Sequence, residues 1–336
     1  MTTMRDVALR AGVSLPVVSY VINNGPRPVS ADTRAKVLVA IEELGYKPNL
    51  MAKSLARKNT RAIALIVPNT SDLFFARLAE AVEDVAYSEG FNLFICNTQQ
   101  NLKRELHYFS SLIEKHIDGI LLVTSGIKAD QLRHAVGENL PLVILDREIE
   151  GTFNDTIVYN NIEAGMQAAE HLLQHGHFRI ACLAGPKTLK GARERAEGAM
   201  QAFRNAGIPS QRKPIYWLDY TFESGLRGTL DLLDRHERPT AILACNDEMG
   251  VAAIHAARRR GLKVPGDLAV VGIGDSFVSQ ICIPQLTTIF GSVDEMGKKG
   301  AEILLARVNG TAPLTASRQI LKTELVIRES CGCNHE

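Results

Sequence analysis

MRDVALRAGVSLPVVSYVINN, residues 4–24, holds two short helical patterns hinged at Gly12. Thr3 is placed to cap the first, with Asp6 three residues on in a near capping box, and Val7, Ala8 and Ala11 form its apolar face. Gly12 suits the left-handed position that ends such a helix. Ser14 then caps the second helix, Pro16 falls in its tolerant first turn, and Val18, Val21 and Ile22 supply its buried side. A third pattern spans residues 30–44, with Val37, Leu38, Ile41 and Leu44 inward and Gly45 as its stop. Helix, tight turn and helix follow the helix-turn-helix plan, in which the N-terminal end of the second helix meets base edges in the DNA major groove. That geometry aims Leu15, Pro16 and Tyr20 at bases, with Val17 beside them. Ser14, Ser19, Asn23 and Asn24 fall at phosphate or sugar positions, and Thr3 joins them as a candidate DNA-binding residue. Helical spacing alone fits a small bundle with no nucleic-acid role equally well.

Charge separates these two readings. Residues 1–58 carry nine Lys/Arg against four acids, a net +5, whereas the 336-residue chain as a whole is +1, which leaves −4 for the rest. Positive charge confined to one end of a near-neutral chain is the electrostatic footprint of a nucleic-acid-binding arm. Next comes PNLMAKSLARK, residues 48–58. Pro48 imposes an extended entry, Asn49 is a candidate cap, and the following two turns are too short to hold as an isolated helix.

RDVALRAGVS, VSYVIN and VSADTRAKVLVAIEELGYKPNLMAKSLA, in this order and spacing, resemble the LacI/GalR family of bacterial transcriptional repressors, and the resemblance extends over nearly the whole chain. It implies an all-α helix-turn-helix domain at residues 1–47, a hinge helix and linker at 48–60, and a two-lobed effector-binding and dimerisation domain at 61–336. The latter would have parallel sheets of the type I periplasmic-binding-protein kind. The resemblance further implies a homodimer reading a pseudo-palindromic operator, with Asn49, Ala52, Lys53 and Leu55 of the hinge on DNA and Leu55 wedged into the minor groove. The alternative for Leu55 is a linker anchor on the body. Two departures lie in the reading helix: Val17 stands where the family commonly has Thr, and Leu15-Pro16 offers no side-chain hydrogen bond. Base reading should therefore lean on apolar contact with thymine methyls and on Tyr20.

From residue 61 short apolar runs at 62–67, 92–96, 119–123, 142–145, 179–185, 240–245 and 268–273 alternate with amphipathic patterns near 73–89, 102–115, 162–175, 192–206, 223–235 and 247–260. Such alternation means parallel sheets covered on both faces, and about 276 residues of it exceed one comfortable core. The expected lobes are 61–148 with 289–320, and 149–285, with crossings near 146–153, 284–288 and 321. Ligands bind such sheets beyond the strands' carboxyl ends. The candidates there are Asp72, Phe74, Asp146, Leu189, Arg195, Tyr220, Asn246, Asp247 and Asp275. Carboxylates, amides and one Arg beside aromatic rings fit a sugar or sugar derivative better than a purine. The resemblance places Phe74, Asp146, Arg195, Tyr220 and Asp247 at effector contacts, although Asp247 also suits a helix cap and Arg195 a solvated helix face. The family writes Gly-hydrophobic-Asp after its last lobe strand, but here Gly274 intervenes and Asp275 is displaced by one position. Lys187, Lys190 and Arg193 near Arg195 are compatible with a phosphorylated or acidic sugar.

No GxGxxG opens a helix after the first strand, GPKTLKGA lacks a phosphate loop's ending, and neither HExxH nor Gly-x-Ser-x-Gly occurs. An enzyme and a cofactor are not expected. Three of the six cysteines fall in apolar strands as small hydrophobes. Cys331, Cys333 and His335 are too few for a closed zinc site, so no metal is expected. The N-terminus lacks a secretion pattern, which implies a cytoplasmic protein with no membrane partner, and the absence of heptads after Glu329 implies a dimer without a coiled-coil tail. The sign of the effector's action and an activator or ligand-independent role on the same scaffold stay open, as does a plain sugar-binding protein.

Overall fold

The computed structural model describes residues 2–23, 27–46, 60–137, 140–208 and 215–333. The chain divides into two units, Met1–Thr60 and Arg61–Glu336. In the first, helix α1 (Met4–Ala11) begins with a complete capping box: Thr3 Oγ1 accepts from the Asp6 amide, and the Asp6 carboxylate accepts from the Thr3 amide at 2.8 Å. Gly12 closes α1 in the left-handed region at φ 65°. The Ser14 carbonyl then receives the Val17 and Val18 amides and starts α2 (Leu15–Asn23), while Ser30 caps α3 (Ala31–Glu43). Val7, Ala8, Val18, Val21, Val37, Ala40 and Tyr46 make the core. Leu38, expected inward, is 51% exposed. It lies about 100° around the helix from Val37, so the inward face continues through Ala40 and Ile41, and Tyr46 fills the space.

The second unit holds two six-stranded sheets. The first comprises β1 (Ala62–Val67), β2 (Asn92–Asn97), β3 (Gly119–Leu122), β4 (Leu142–Leu145), β5 (Asp155–Tyr159) and, from far along the chain, β11 (Arg318–Leu321). Its order is β11-β5-β4-β3-β1-β2, parallel throughout. The second comprises β6 (Ile180–Ala184), β7 (Ile215–Trp217), β8 (Ala241–Ala244), β9 (Ala269–Ile273), β10 (Thr287–Phe290) and β12 (Glu324–Val326), in order β12-β10-β9-β8-β6-β7, with only β12 antiparallel. Helices α4 (Leu73–Ser88), α5 (Leu102–Glu114), α6 (Ala129–Val136) and α12 (Val293–Val308) belong to the first lobe. Helices α7 (Asn161–Gln174), α8 (Lys190–Asn205), α9 (Phe222–Leu233), α10 (Asp247–Arg259) and α11 (Phe277–Ile281) belong to the second.

Lobe membership differs from the sequence expectation at each crossing. β5 pairs with β4, Val143 opposite Asp155, so the first sheet runs on to Tyr159 rather than ending near residue 148. β10 pairs with β9, Thr287 opposite Val271, which keeps the chain in the second sheet past residue 285. After Leu321 the chain passes from the first sheet to β12 in the second, the reverse of the expected return. DTIVY and TTIF are short and threonine-bearing, so neither stands out as an apolar run, yet their β-branched side chains suit a buried strand.

Helices α7 and α8 pack at backbone distance. A Cβ on Gly165 would lie 2.0 Å from the Arg195 carbonyl oxygen, and one on Gly198 only 1.9 Å from that of Ile162. No side chain is compatible with that approach, which sets where α8 presents Arg195. We expect Gly198→Ala to destabilise the second unit by about 3 kcal/mol or more through overpacking, read as a lowered urea midpoint. A change below about 0.5 kcal/mol would show that the helices separate at little cost.

Candidate functional site

The carboxyl ends of the two parallel sheets open on one cavity of about 1000 Å³ between the lobes. Asp72, Phe74, Asp146, Leu189, Arg195, Tyr220, Asn246 and Asp247 all line it. Asp275 does not: its carboxylate is engaged by the Arg328 guanidinium and by Ser279 Oγ. The extra glycine before it turns the chain away, with Asp275 itself at φ 49°.

Arg195 is held from two sides. Its Nε donates to Asn161 Oδ1 at 2.8 Å and its Nη1 to the Cys245 carbonyl at 2.7 Å, so among the described residues Nη2 retains no protein acceptor. Asp146, at φ 59°, is fixed by its own amide donating to the Ile157 carbonyl, and among the described residues its carboxylate accepts no hydrogen bond. Tyr220 also sits in the left-handed region, at φ 71°. Non-glycine residues rarely adopt that conformation, and such strain gathers at ligand sites. Arg147 reaches inward to the Thr124 carbonyl at 3.1 Å and lies over the Phe75 ring. Burial pulls its pKa below the usual arginine value, against the opposing pull of Asp146, Tyr220 and Asp72.

Other candidates have internal duties. Asp72 caps α4, accepting from the Phe74 amide at 2.9 Å, and enclosure in the cleft raises its pKa, with that hydrogen bond acting in the opposite direction. The cap of α10 is Asn246, which accepts from the Met249 amide, and not Asp247. Asp247 is buried. It accepts from Thr288 Oγ1 at 2.5 Å and from the Ser276 amide and hydroxyl, while burial pushes its pKa up. Sequence reasoning missed Asn161, which orients Arg195, and Glu105, which is buried and accepts from Thr124 Oγ1 at 2.8 Å. Asn161 directly follows the Asn160 cap of α7, a doubled-Asn helix start that marks it in hindsight.

The basic mouth is balanced. Lys190 of the second lobe meets Glu148 of the first at 2.9 Å, and Arg193 meets Glu150 at 3.5 Å, so two ion pairs cross between the lobes. Glu148 is also held by Arg318 at 2.8 Å. Lys187 lies over the Trp217 ring instead of lining the cavity.

In the first unit Ser14, Leu15 and Pro16 are exposed at the start of α2, Leu15 by 47%, while Val17, Ser19 and Tyr20 are half-buried. Thr3 is exposed and committed to its capping box. The side chain of Asn23, together with Asn24, Asn49, Ala52, Lys53 and Leu55 and hence the hinge, lies outside the described residues.

Residues 3–49 match the family described as bacterial regulatory proteins, lacI family, and residues 169–331 match a periplasmic binding protein-like domain. The HTH-type transcriptional regulator DegA of Bacillus subtilis is 38% identical over 98% of both chains. The chain belongs to the lacI family. Another lacI-type relative, the transcriptional repressor PurR of Actinobacillus pleuropneumoniae, is 36% identical over 98% of both chains. Among solved structures, the Lac repressor dimer bound to operator and an anti-inducer superposes with a TM-score of 0.86 at 29% identity, covering 98% of each chain. The regulator CelR in complex with cellobiose gives 0.74 at 32%, covering 98% of this chain and 100% of that one. The lacI family is one of DNA-binding regulators, not of enzymes. Among the described residues no helix is long and apolar enough to cross a membrane.

The hydrogen bond from Arg318, helped by Lys190 and opposed by burial, lowers the Glu148 carboxyl to about 2. A depressed carboxylate stabilises the fold above its unfolded pKa of about 4.3, and that contribution disappears as pH falls toward the folded value. Glu148→Gln should therefore cost about 1–2 kcal/mol at pH 7 after allowance for solvent screening. The difference from wild type should shrink between about pH 4.3 and pH 2. A pH-independent difference in denaturation midpoints would contradict the assignment.

Proposed function

We propose that the protein is a homodimeric, sequence-specific repressor of transcription, working in the cytoplasm, whose grip on a pseudo-palindromic operator is controlled by a sugar in the interlobe cleft. The carrying observation is the Asp146 carboxylate and the Arg195 Nη2 group, an acceptor and a donor that among the described residues have no protein hydrogen-bond partner, on opposite lobes of a cavity in a chain that also bears an exposed reading helix. Adjacent sugar hydroxyls satisfy such a pair, and Phe74 and Tyr220 offer the apolar cover a sugar ring needs. The CelR–cellobiose complex supports this ligand class. Because Lys190 and Arg193 already face Glu148 and Glu150, the charge balance favours a neutral sugar over a phosphorylated one.

In this reading Leu15, Pro16, Val17 and Tyr20 meet base edges, and Thr3, Ser14, Ser19, Asn23 and Asn24 meet the backbone. The hinge residues Asn49, Ala52, Lys53 and Leu55 carry the cleft's state to DNA. Effector and operator then bias one equilibrium, so each changes the other's affinity by the same factor.

An operator selected from a random duplex pool allows a calorimetric titration of neutral and phosphorylated sugars with and without DNA. The expected result is one neutral sugar class whose binding changes operator affinity; if none does, effector control is wrong. Arg195→Ala should weaken the sugar by about tenfold or more and leave operator binding by the sugar-free protein unchanged; equal loss of both would show that Arg195 acts structurally. Leu55→Ala should weaken operator binding by at least about tenfold, as expected for loss of an intercalating wedge, and reduce bending measured by energy transfer between the DNA ends. Full affinity with unchanged bending refutes the wedge.

A further inference from the structure

The expectation of no metal counted only the chain's last cysteines and His335, which lies outside the described residues. The fold adds two histidines. His171 in the last turn of α7 and His175 at its C-cap, one helical turn apart, turn their rings toward each other at 4.6 Å and both face the segment after β12. Cys333 Sγ lies 3.2 Å from His171 Nε2 and 3.0 Å from His175 Nε2. The three donor atoms fall within 4.8 Å of one another. Cys331 Sγ is 3.1 Å from Cys333 Sγ.

We propose that His171, His175, Cys333 and Cys331 bind a zinc ion that clips the C-terminal segment to helix α7. Two imidazoles and two thiolates are a standard four-coordinate zinc set. Zinc bonds of about 2.3 Å to sulfur and 2.0–2.1 Å to nitrogen put tetrahedral donors roughly 3.3–3.8 Å apart. Cys333 Sγ, at 3.0–3.2 Å from the two histidine nitrogens and from Cys331 Sγ, therefore needs to open by only about half an ångström, while Cys331, outside the three-donor group, turns toward the histidines to complete the set.

An outer contact pre-sets the site. His175 Nδ1 is 2.7 Å from the His171 carbonyl, which can only accept, so the proton sits on Nδ1 and the Nε2 lone pair points at Cys333. Metal-binding histidines are oriented in this way by their second nitrogen. Thr287 Oγ1, 3.1 Å from Cys331 Sγ, donates to that sulfur from β10. His171 and Cys331 are buried, and His175 is exposed, which leaves a path for the ion. Binding replaces the two thiol protons, which pass to solvent, and involves no redox change. The clip lies at the end of α7 opposite Asn161, the residue that orients Arg195, so it anchors a helix of the effector lobe without contributing to the cleft. This inference does not depend on the identity of the effector.

The test uses the full-length protein, stripped of metal and kept under reductant, with zinc titrated against a chromogenic chelator and cobalt titrated as a spectroscopic substitute. One zinc per chain is expected, and cobalt should give intense tetrahedral ligand-field bands with a near-ultraviolet thiolate charge-transfer band. Cys333→Ser and His175→Ala, both at accessible positions, should each weaken zinc by more than about 100-fold, beyond the effect of losing an outer-shell partner. Cys333→Ser should also diminish the charge-transfer band, while circular dichroism stays native. No zinc retained against the chelator, or zinc binding unchanged in both variants, overturns the proposal.

Discussion

Parallel strand pairing is the constraint from which the body of this protein follows. Parallel neighbours cannot be joined by a hairpin, so each strand must return over a face of the sheet through a helix. The loops that begin those helices then gather at the strands' carboxyl ends. Two such sheets, sharing one chain that crosses between them three times, bring those ends to a common cavity. The residues with chemistry in them, Asp72, Asp146, Tyr220 and Asn246, stand immediately after strands or at the helix starts that follow.

Within that frame the cleft's polarity is set by which groups the fold satisfies internally. Asp247 and Glu105 are buried carboxylates whose oxygens are taken by hydroxyls and amides of their own lobe. Such groups hold loops in place, since a buried polar group without a partner is costly. Asp146 and Arg195 retain capacity for a ligand because backbone geometry fixes one, and Asn161 with the Cys245 carbonyl fixes the other. The close approach of α7 and α8 through Gly165 and Gly198 makes the Asn161–Arg195 bond possible, so a packing feature sets the orientation of a cavity-lining side chain.

Much of this was legible in the chain. The three N-terminal helices followed from caps and a turn glycine, and seven strand runs from apolar continuity, because local hydrogen bonding and burial leave a local imprint. β5 and β10 did not show, since their threonines interrupt the apolar run while remaining buried through pairing on both edges. Leu38 misled because one face of α3 accommodates only the positions nearest its centre. Asp275 was rightly marked as displaced, but its partner Arg328 lies 53 residues away and left no sign in the sequence.

Local order, helix capping, the basic arm and the alternating strand–helix rhythm were thus determined by the sequence itself, because each depends on neighbours within a few residues. Tertiary structure alone decided which lobe β5, β10 and β12 join, that Lys190 and Arg193 meet Glu148 and Glu150 across the cleft, and that His171 and His175 meet Cys331 and Cys333. These are contacts between residues some 40 to 160 positions apart. Coulombic and coordinating interactions act over a few ångströms of space, and only the folded chain sets those distances.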